Sequence, residues 1–266
     1  YYSRARNLLK AARLIAQQGF PTTAEALQQL PGIGPYTAAA VASIAFQQPV
    51  PAMDGNLNRV IARLFNVGDN IGRPAIKRLL YEKGQSLIPL DRPGDMNQAL
   101  MDLGATICLP GTPDCHRCPL AGHCLAYQDG APETLPVMDV KKPPKEVDMA
   151  VVLVTNGGRV LLRKREEALL KGLYVFLLLE DAAALAQTKE QLQKLGIPAK
   201  GLRALGKAKH VFTHRVWHMT VYQLDAATAP AIPKALWATA EDIRALPLPT
   251  AMKAAKQWAL EVLEGE

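Results

Sequence analysis

Apolar residues recur at helical spacing through the first half of the chain. In residues 7–17, Leu8, Leu9, Ala12, Ile15 and Ala16 fall on one face, which predicts a helix. Gly19-Phe20-Pro21-Thr22 ends it, and Thr22 or Thr23 can cap the next helix. Leu27-Gln28-Gln29-Leu30 then runs into Pro31-Gly32-Ile33-Gly34-Pro35. The small apolar run 37–46 predicts a helix packed closely by its neighbours, and further helices are expected over 56–65, 75–87 and 96–108. Residues 1–128 therefore read as all-helical.

The pattern changes after Cys124. Residues 129–147 hold Pro132, Pro136, Pro143 and Pro144 with Lys141, Lys142 and Lys145, the composition of an extended linker. Strand-like runs at 149–155 and 159–163 flank Asn156-Gly157-Gly158, a hairpin signal. An apolar run at 173–179, a helix at 182–195, a strand at 216–224 and a closing helix at 251–263 complete the reading. Residues 148–266 thus form an α+β domain, and the fold class is multidomain, all-helical followed by α+β.

Charge adds a direction. Lys plus Arg number 31 against 24 Asp plus Glu, a formal net charge of +7, which favours a polyanionic partner. No apolar run approaches the length that spans a bilayer, so no membrane association is expected. The chain starts Tyr1-Tyr2-Ser3-Arg4 without an initiator Met, so a fragment is expected.

All four cysteines fall at 108, 115, 118 and 124 in an otherwise cysteine-free chain, which points to a metal site rather than a disulfide framework. Four thiolates satisfy a tetrahedral zinc or an iron–sulfur cluster equally in ligand count. Only Cys115 and Cys118 have the short knuckle spacing common at zinc, which tilts the reading toward iron–sulfur. His116 and His123 lie inside the loop, but four cysteines already fill a shell.

Two further strings carry chemistry. In Leu30-Pro31-Gly32-Ile33-Gly34-Pro35-Tyr36-Thr37, Gly32 and Gly34 let backbone approach a ligand closely, and the following helix start offers N–H groups to an anion. An ordinary helix–helix turn has the same signature. In Met53-Asp54-Gly55-Asn56-Leu57-Asn58-Arg59, Asp54 reads first as a helix cap.

The cysteine spacing, following Asn97-Gln98-Ala99-Leu100-Met101-Asp102-Leu103-Gly104, resembles the iron–sulfur loop of the endonuclease III superfamily of base-excision glycosylases. The resemblance implies a 4Fe–4S cluster on Cys108, Cys115, Cys118 and Cys124, structural and DNA-sensing, with Arg117 facing phosphate. It makes the Gly32/Gly34 turn a helix–hairpin–helix DNA contact; Tyr1-Tyr2-Ser3-Arg4-Ala5-Arg6-Asn7 resembles a string of the adenine-specific glycosylase branch, which makes Tyr1 a wedge beside the flipped base. It makes Asp54 the catalytic carboxylate that stabilises a sugar cation, with Tyr36 and Asn56 lining its pocket. The lyase branch has a Lys where Tyr36 stands, and no Lys lies between Lys10 and Lys77, so hydrolysis without a Schiff base is implied.

Gly158 to Arg165, Gly172-Leu173-Tyr174-Val175-Phe176 and His210-Val211-Phe212-Thr213-His214 resemble the Nudix-like domain of the adenine DNA glycosylase family. In that family Phe212, Thr213 and His214 would touch 8-oxoguanine. Without the resemblance they read as core packing and a surface imidazole. The family's usual Pro is Leu177 here, and its common Ser is Thr213. Residues 188–195 lack the acidic set of a Nudix hydrolase, so this domain is expected to bind rather than hydrolyse.

The expectation is a base-excision DNA repair glycosylase that removes adenine opposite 8-oxoguanine or guanine in double-stranded DNA, monomeric, cytoplasmic and nucleoid-associated. The family's general-acid Glu lies before the string matching Tyr1 to Asn7, so this chain by itself is expected to be inactive. The alternatives are a non-catalytic iron–sulfur DNA-binding module and an endonuclease III-like lyase.

Overall fold

The computed structural model describes residues 2–140, 142–226, 232 and 234–265, so Tyr1 lies outside the described residues. Two units follow one another, Tyr1–Lys141 and Lys142–Glu266.

The first unit is helical: α1 Tyr2–Gln18, α2 Ala24–Leu27, α3 Pro35–Phe46, α4 Gly55–Leu64, α5 Pro74–Leu87, α6 Pro93–Thr106 and α7 Leu125–Gln128. Proline stands at the start of α3, α5 and α6, where its fixed φ suits the helix and its missing N–H is harmless. This is why each begins one to three residues earlier than apolar periodicity indicates. Helix α1 departs from its expected face: Ala11 is buried with Leu14 and Ile15 against it, while Leu8 and Leu9 are exposed. Alanines 38 and 42 of α3 are fully buried, as its small residues suggested. The α6 start lies against α3, because a Cβ on Gly94 would come within 2.8 Å of the Ile44 backbone. A second core gathers Leu57, Ile61, Leu80 and Leu100.

Residues 129–147 divide instead of spanning freely. Leu135 is buried, Ile71 N donates to Val137 O at 3.0 Å, and Asn70 Nδ2 donates to Asp139 Oδ1 at 2.6 Å. The last of them enter a strand at Lys145.

The second unit is a mixed sheet with helices on both faces. Its elements are β1 Lys145–Asn156, β2 Arg159–Lys164, β3 Tyr174–Val175, β4 Leu177–Glu180, α8 Leu185–Lys194, β5 Arg203–Val211, β6 Arg215–Asp225, β7 Ala235–Ala238, α9 Ala240–Ala245 and α10 Lys253–Glu264. Gly157 and Gly158 both take positive φ, the requirement of the tight β1–β2 turn. The sheet order is β3-β2-β1-β6-β5, with β4 also pairing β1 and β7 pairing β2. Central β1 runs parallel to β6, from Lys145 opposite Arg215 to Thr155 opposite Asp225. Its Val147, Met149, Val151 and Leu153 pack with α10, while Ala150, Val152 and Val154 face Leu192 of α8. Burial on both faces explains its near-continuous apolar run. The apolar run at 173–179 is two strands, broken at the fully buried Phe176. Strands β5 and β7 carry no strong apolar period, and pairing with β6 and β2 creates them, while the short helix α9 starts at a capping box of Thr239 and Asp242. Among the described residues no helix is long and apolar enough to cross a membrane.

Candidate functional site

Gly32 sits at φ +79, and a Cβ there would fall 2.7 Å from Asn7 Cβ. Both conditions exclude other residues, so the turn between α2 and α3 is built on this glycine. Gly34 is the N-cap of α3, has no side chain to cap the first turn, and meets nothing within 4 Å on its Cβ side. The first-turn N–H groups of α3 have no partner within the helix and stand beside an open flank. Tyr36 follows, half exposed, its hydroxyl 3.5 Å from Met101 Sδ of α6.

Asp54 is the N-cap of α4. Its Oδ1 accepts from Leu57 N at 2.7 Å, and its carbonyl accepts from Asn58 Nδ2 at 2.7 Å. The cap occupies one carboxylate oxygen and leaves Oδ2 without a hydrogen bond among the described residues, on a residue that is only partly buried. The cap thus leaves one carboxylate oxygen of Asp54 uncommitted.

The next turns of α4 tie Asp54 to the cysteine loop. Asn56 Oδ1 accepts from Arg59 Nη2 at 2.9 Å, and a Cβ on Gly104 of α6 would come within 2.7 Å of Asn56 Cβ. Arg59, 8% exposed, also donates from Nε to Cys108 O at 2.8 Å and from Nη2 to Gly104 O at 2.6 Å. Burial lowers its pKa most, and the neighbouring Cys108 and Asp54 oppose that shift. Arg63, one turn on and 2% exposed, donates to Leu135 O at 2.9 Å, Leu109 O at 2.8 Å, Gly111 O at 3.0 Å and Cys108 Sγ at 3.4 Å. Sequence reasoning passed over both arginines. Their signal was present: two cations four residues apart within the apolar stripe Leu57, Val60 and Ile61.

The four cysteines are unpaired and line one cavity of about 30 Å³ with Arg63 and Tyr127. Burial pushes the Cys115 and Cys118 thiols up, and Cys108 and Cys124 push both further. The thiols are therefore near enough to repel one another as thiolates, and a cationic centre among them would relieve that repulsion. Their soft donor set suits an iron–sulfur or zinc centre. Among the described residues, however, no three His, Cys, Asp or Glu side chains converge closely enough to hold a single ion. His116 is exposed and packs edge-on against Tyr127 at 6.5 Å, outside the cysteine cavity. Arg117 is exposed and pairs with Asp114 at 3.4 Å.

In the second unit, Phe212, Thr213 and His214 form the tip of the β5–β6 hairpin. Phe212 N donates to Arg215 O at 2.8 Å, and Lys145 N donates to His214 O at 3.0 Å. Phe212 is half buried, edge-on to Trp217 at 4.9 Å and to His210 at 4.5 Å, whereas Thr213 and His214 are exposed. The phenylalanine anchors the tip and the other two face outward. On α8, Glu190 pairs with Lys194 at 2.7 Å. The carboxylates of the first unit outside the Asp54 string include Glu25, which accepts from Gln48 at 3.5 Å, and Glu82, paired with Arg78 at 3.3 Å.

Residues 16–44 match the model of the helix–hairpin–helix motif, and residues 149–258 match the model of the Nudix domain. The adenine DNA glycosylase of Mus musculus is 34% identical over 95% of this chain and 60% of its own length. That of Homo sapiens is 34% identical over 95% of this chain and 57% of its own. The chain thus spans about three fifths of the length of these relatives. A solved thermostable thymine-DNA glycosylase is 33% identical, with 47% of this chain and 58% of that one covered at a TM-score of 0.42. Over 95% of its length, through a helix–hairpin–helix segment and a Nudix-domain match, this chain is similar to adenine DNA glycosylases.

Proposed function

We propose that the native protein carrying this chain hydrolyses the N-glycosidic bond of adenine paired with 8-oxoguanine or guanine in duplex DNA. The observation that carries this reading is Asp54: a partly buried carboxylate capping α4, with one oxygen held by Leu57 N and the other without a hydrogen bond among the described residues. A fixed negative charge at that point stabilises the cationic sugar formed as the base departs. Tyr36, where a Schiff-base mechanism needs an amine, restricts the chemistry to hydrolysis. Gly32, Gly34 and the start of α3 take a phosphate through backbone N–H groups and so position the duplex without reading its sequence. Arg117 adds a charge to the same backbone binding.

Cys108, Cys115, Cys118 and Cys124 would hold a 4Fe–4S cluster, which when bound supplies the cationic centre that four crowded thiolates require. Arg63 and Arg59 then link that loop to the helix bearing Asp54. Thr213 and His214 offer hydrogen-bonding groups to 8-oxoguanine from a tip that Phe212 braces.

The test is adenine release from an 8-oxoguanine·adenine duplex by the native protein. Wild-type protein should release adenine and give no covalent complex on borohydride treatment, and Asp54→Asn should lose at least about 100-fold in single-turnover rate. Normal turnover by Asp54→Asn would remove that residue from its role. A borohydride-trapped complex would favour the lyase reading, and tight lesion binding without any release would favour a non-catalytic binding module.

A further inference from the structure

Asp54 closes the loop that leaves α3 at Phe46 and enters α4 at Gly55. A segment between two helices has no ladder of its own, and its backbone groups must find partners elsewhere. From the geometry we infer that Asn97, in α6, is the residue that positions this loop and hence Asp54 for base removal. The inference rests on the catalytic reading of Asp54 given above.

Asn97 is fully buried. Its amide is spent on the loop. Oδ1 accepts from Ala52 N at 2.8 Å, and Nδ2 donates to Val50 O at 2.9 Å and to Ser43 Oγ at 3.0 Å. Ala52 and Val50 precede Asp54 by two and four residues. Ser43 Oγ donates to Ala40 O at 3.2 Å, so it receives rather than offers a proton at Asn97 and sets which way the amide points. One side chain thus joins the end of the hairpin helix α3 to both sides of Pro51. Helix α5 closes the loop from elsewhere: Gln85 Nε2 donates to Pro49 O at 2.7 Å, and a Cβ on Gly84 would lie 3.0 Å from Met53 Sδ and 3.3 Å from Pro51 Cβ.

Asn97 makes none of these bonds to Asp54 itself, so it is a positioning residue. Phosphate held by the α3 start and a sugar facing Asp54 would sit on opposite ends of the segment it clamps. Loss of its bonds should displace the carboxylate while leaving the duplex contacts in place.

The experiment compares native protein with Asn97→Asp, which keeps the acceptor for Ala52 and loses both donors, and with Ser43→Ala, which removes one acceptor and little volume. Single-turnover adenine release and the dissociation constant for an 8-oxoguanine·adenine duplex are measured together. Asn97→Asp should slow release by about 100-fold, and Ser43→Ala by about 5-fold, with DNA affinity changed less than about 2-fold. If Asn97→Asp does not fold, Ser43→Ala decides alone. Full-speed release by these variants, or equal losses in rate and affinity, overturns the inference. Asp54→Asn is run alongside: its inactivity with full-speed Asn97 and Ser43 variants sinks only the positioning role, whereas normal turnover by Asp54→Asn sinks the underlying reading.

Discussion

The helical unit and the sheet unit each carry a candidate site loop, and they hold it by different means. The Asp54 loop and the cysteine loop are fastened by buried side chains: Asn97, Arg59 and Arg63 reach at least six backbone groups between them. The β5–β6 tip is fastened by backbone bonds, Phe212 N to Arg215 O and Lys145 N to His214 O, and by the Trp217–Phe212–His210 ring contacts. A hairpin tip inherits order from its strands, so its outward residues are free to vary for contact. A loop between helices has to recruit donors from distant positions, so its order depends on a few buried polar side chains.

Three substitutions test this difference. The largest effect is expected for Arg63→Ala, which strands the carbonyls of Leu135, Leu109 and Gly111 and should destabilise the helical unit by about 3 kcal/mol or more. The urea midpoint of the helical transition measures it, and a change below about 1 kcal/mol would show that those carbonyls find other partners. Gly206→Ala tests the sheet unit at its tightest contact, where a Cβ would stand 2.5 Å from Trp258 of α10. A loss of about 1–3 kcal/mol in thermal unfolding is expected. A neutral result would mean that α10 moves aside.

The smallest effect concerns pH. Burial against Phe212 lowers the His210 pKa below its ordinary value of 6.5. The folded hairpin therefore binds that proton less readily than the unfolded chain does. The stability that neutral His210 contributes is complete above about pH 6.5 and is lost as pH falls from there through the lower folded value. Melting of native protein and of His210→Phe should diverge below pH 6.5, and parallel curves would leave the ring without a role in the tip.

Much of this was legible along the chain. Helices with proline starts and apolar stripes, the Gly157-Gly158 hairpin and the doubly buried β1 all follow from local preference and period. The α1 face was misread because Leu8 and Leu9 are louder in sequence than Ala11, although the small residue is the one that fits against the hairpin helices. Strand β5 escaped because Arg203, Lys207 and Lys209 alternate with few apolar residues at the sheet edge, and only pairing with β6 makes them a strand. Residues 129–147 look like open linker in sequence because the groups that bind Leu135, Val137 and Asp139 are those of Arg63, Ile71 and Asn70, far earlier in the chain.

By itself the sequence determined which chemical groups the chain owns: four clustered thiols, a carboxylate after a glycine turn, a Tyr instead of a Lys, and an aromatic-hydroxyl-imidazole triplet. Those are matters of composition and spacing. Tertiary structure decided which groups are left uncommitted and which are consumed by the fold: one oxygen of Asp54 but not the other, Thr213 and His214 but not the ring of Phe212. It also decided that Asn97 and the two arginines are buried and bonded to loop backbone. Backbone groups in irregular segments must be satisfied by partners far away in sequence, and no local pattern announces which side chain will supply them.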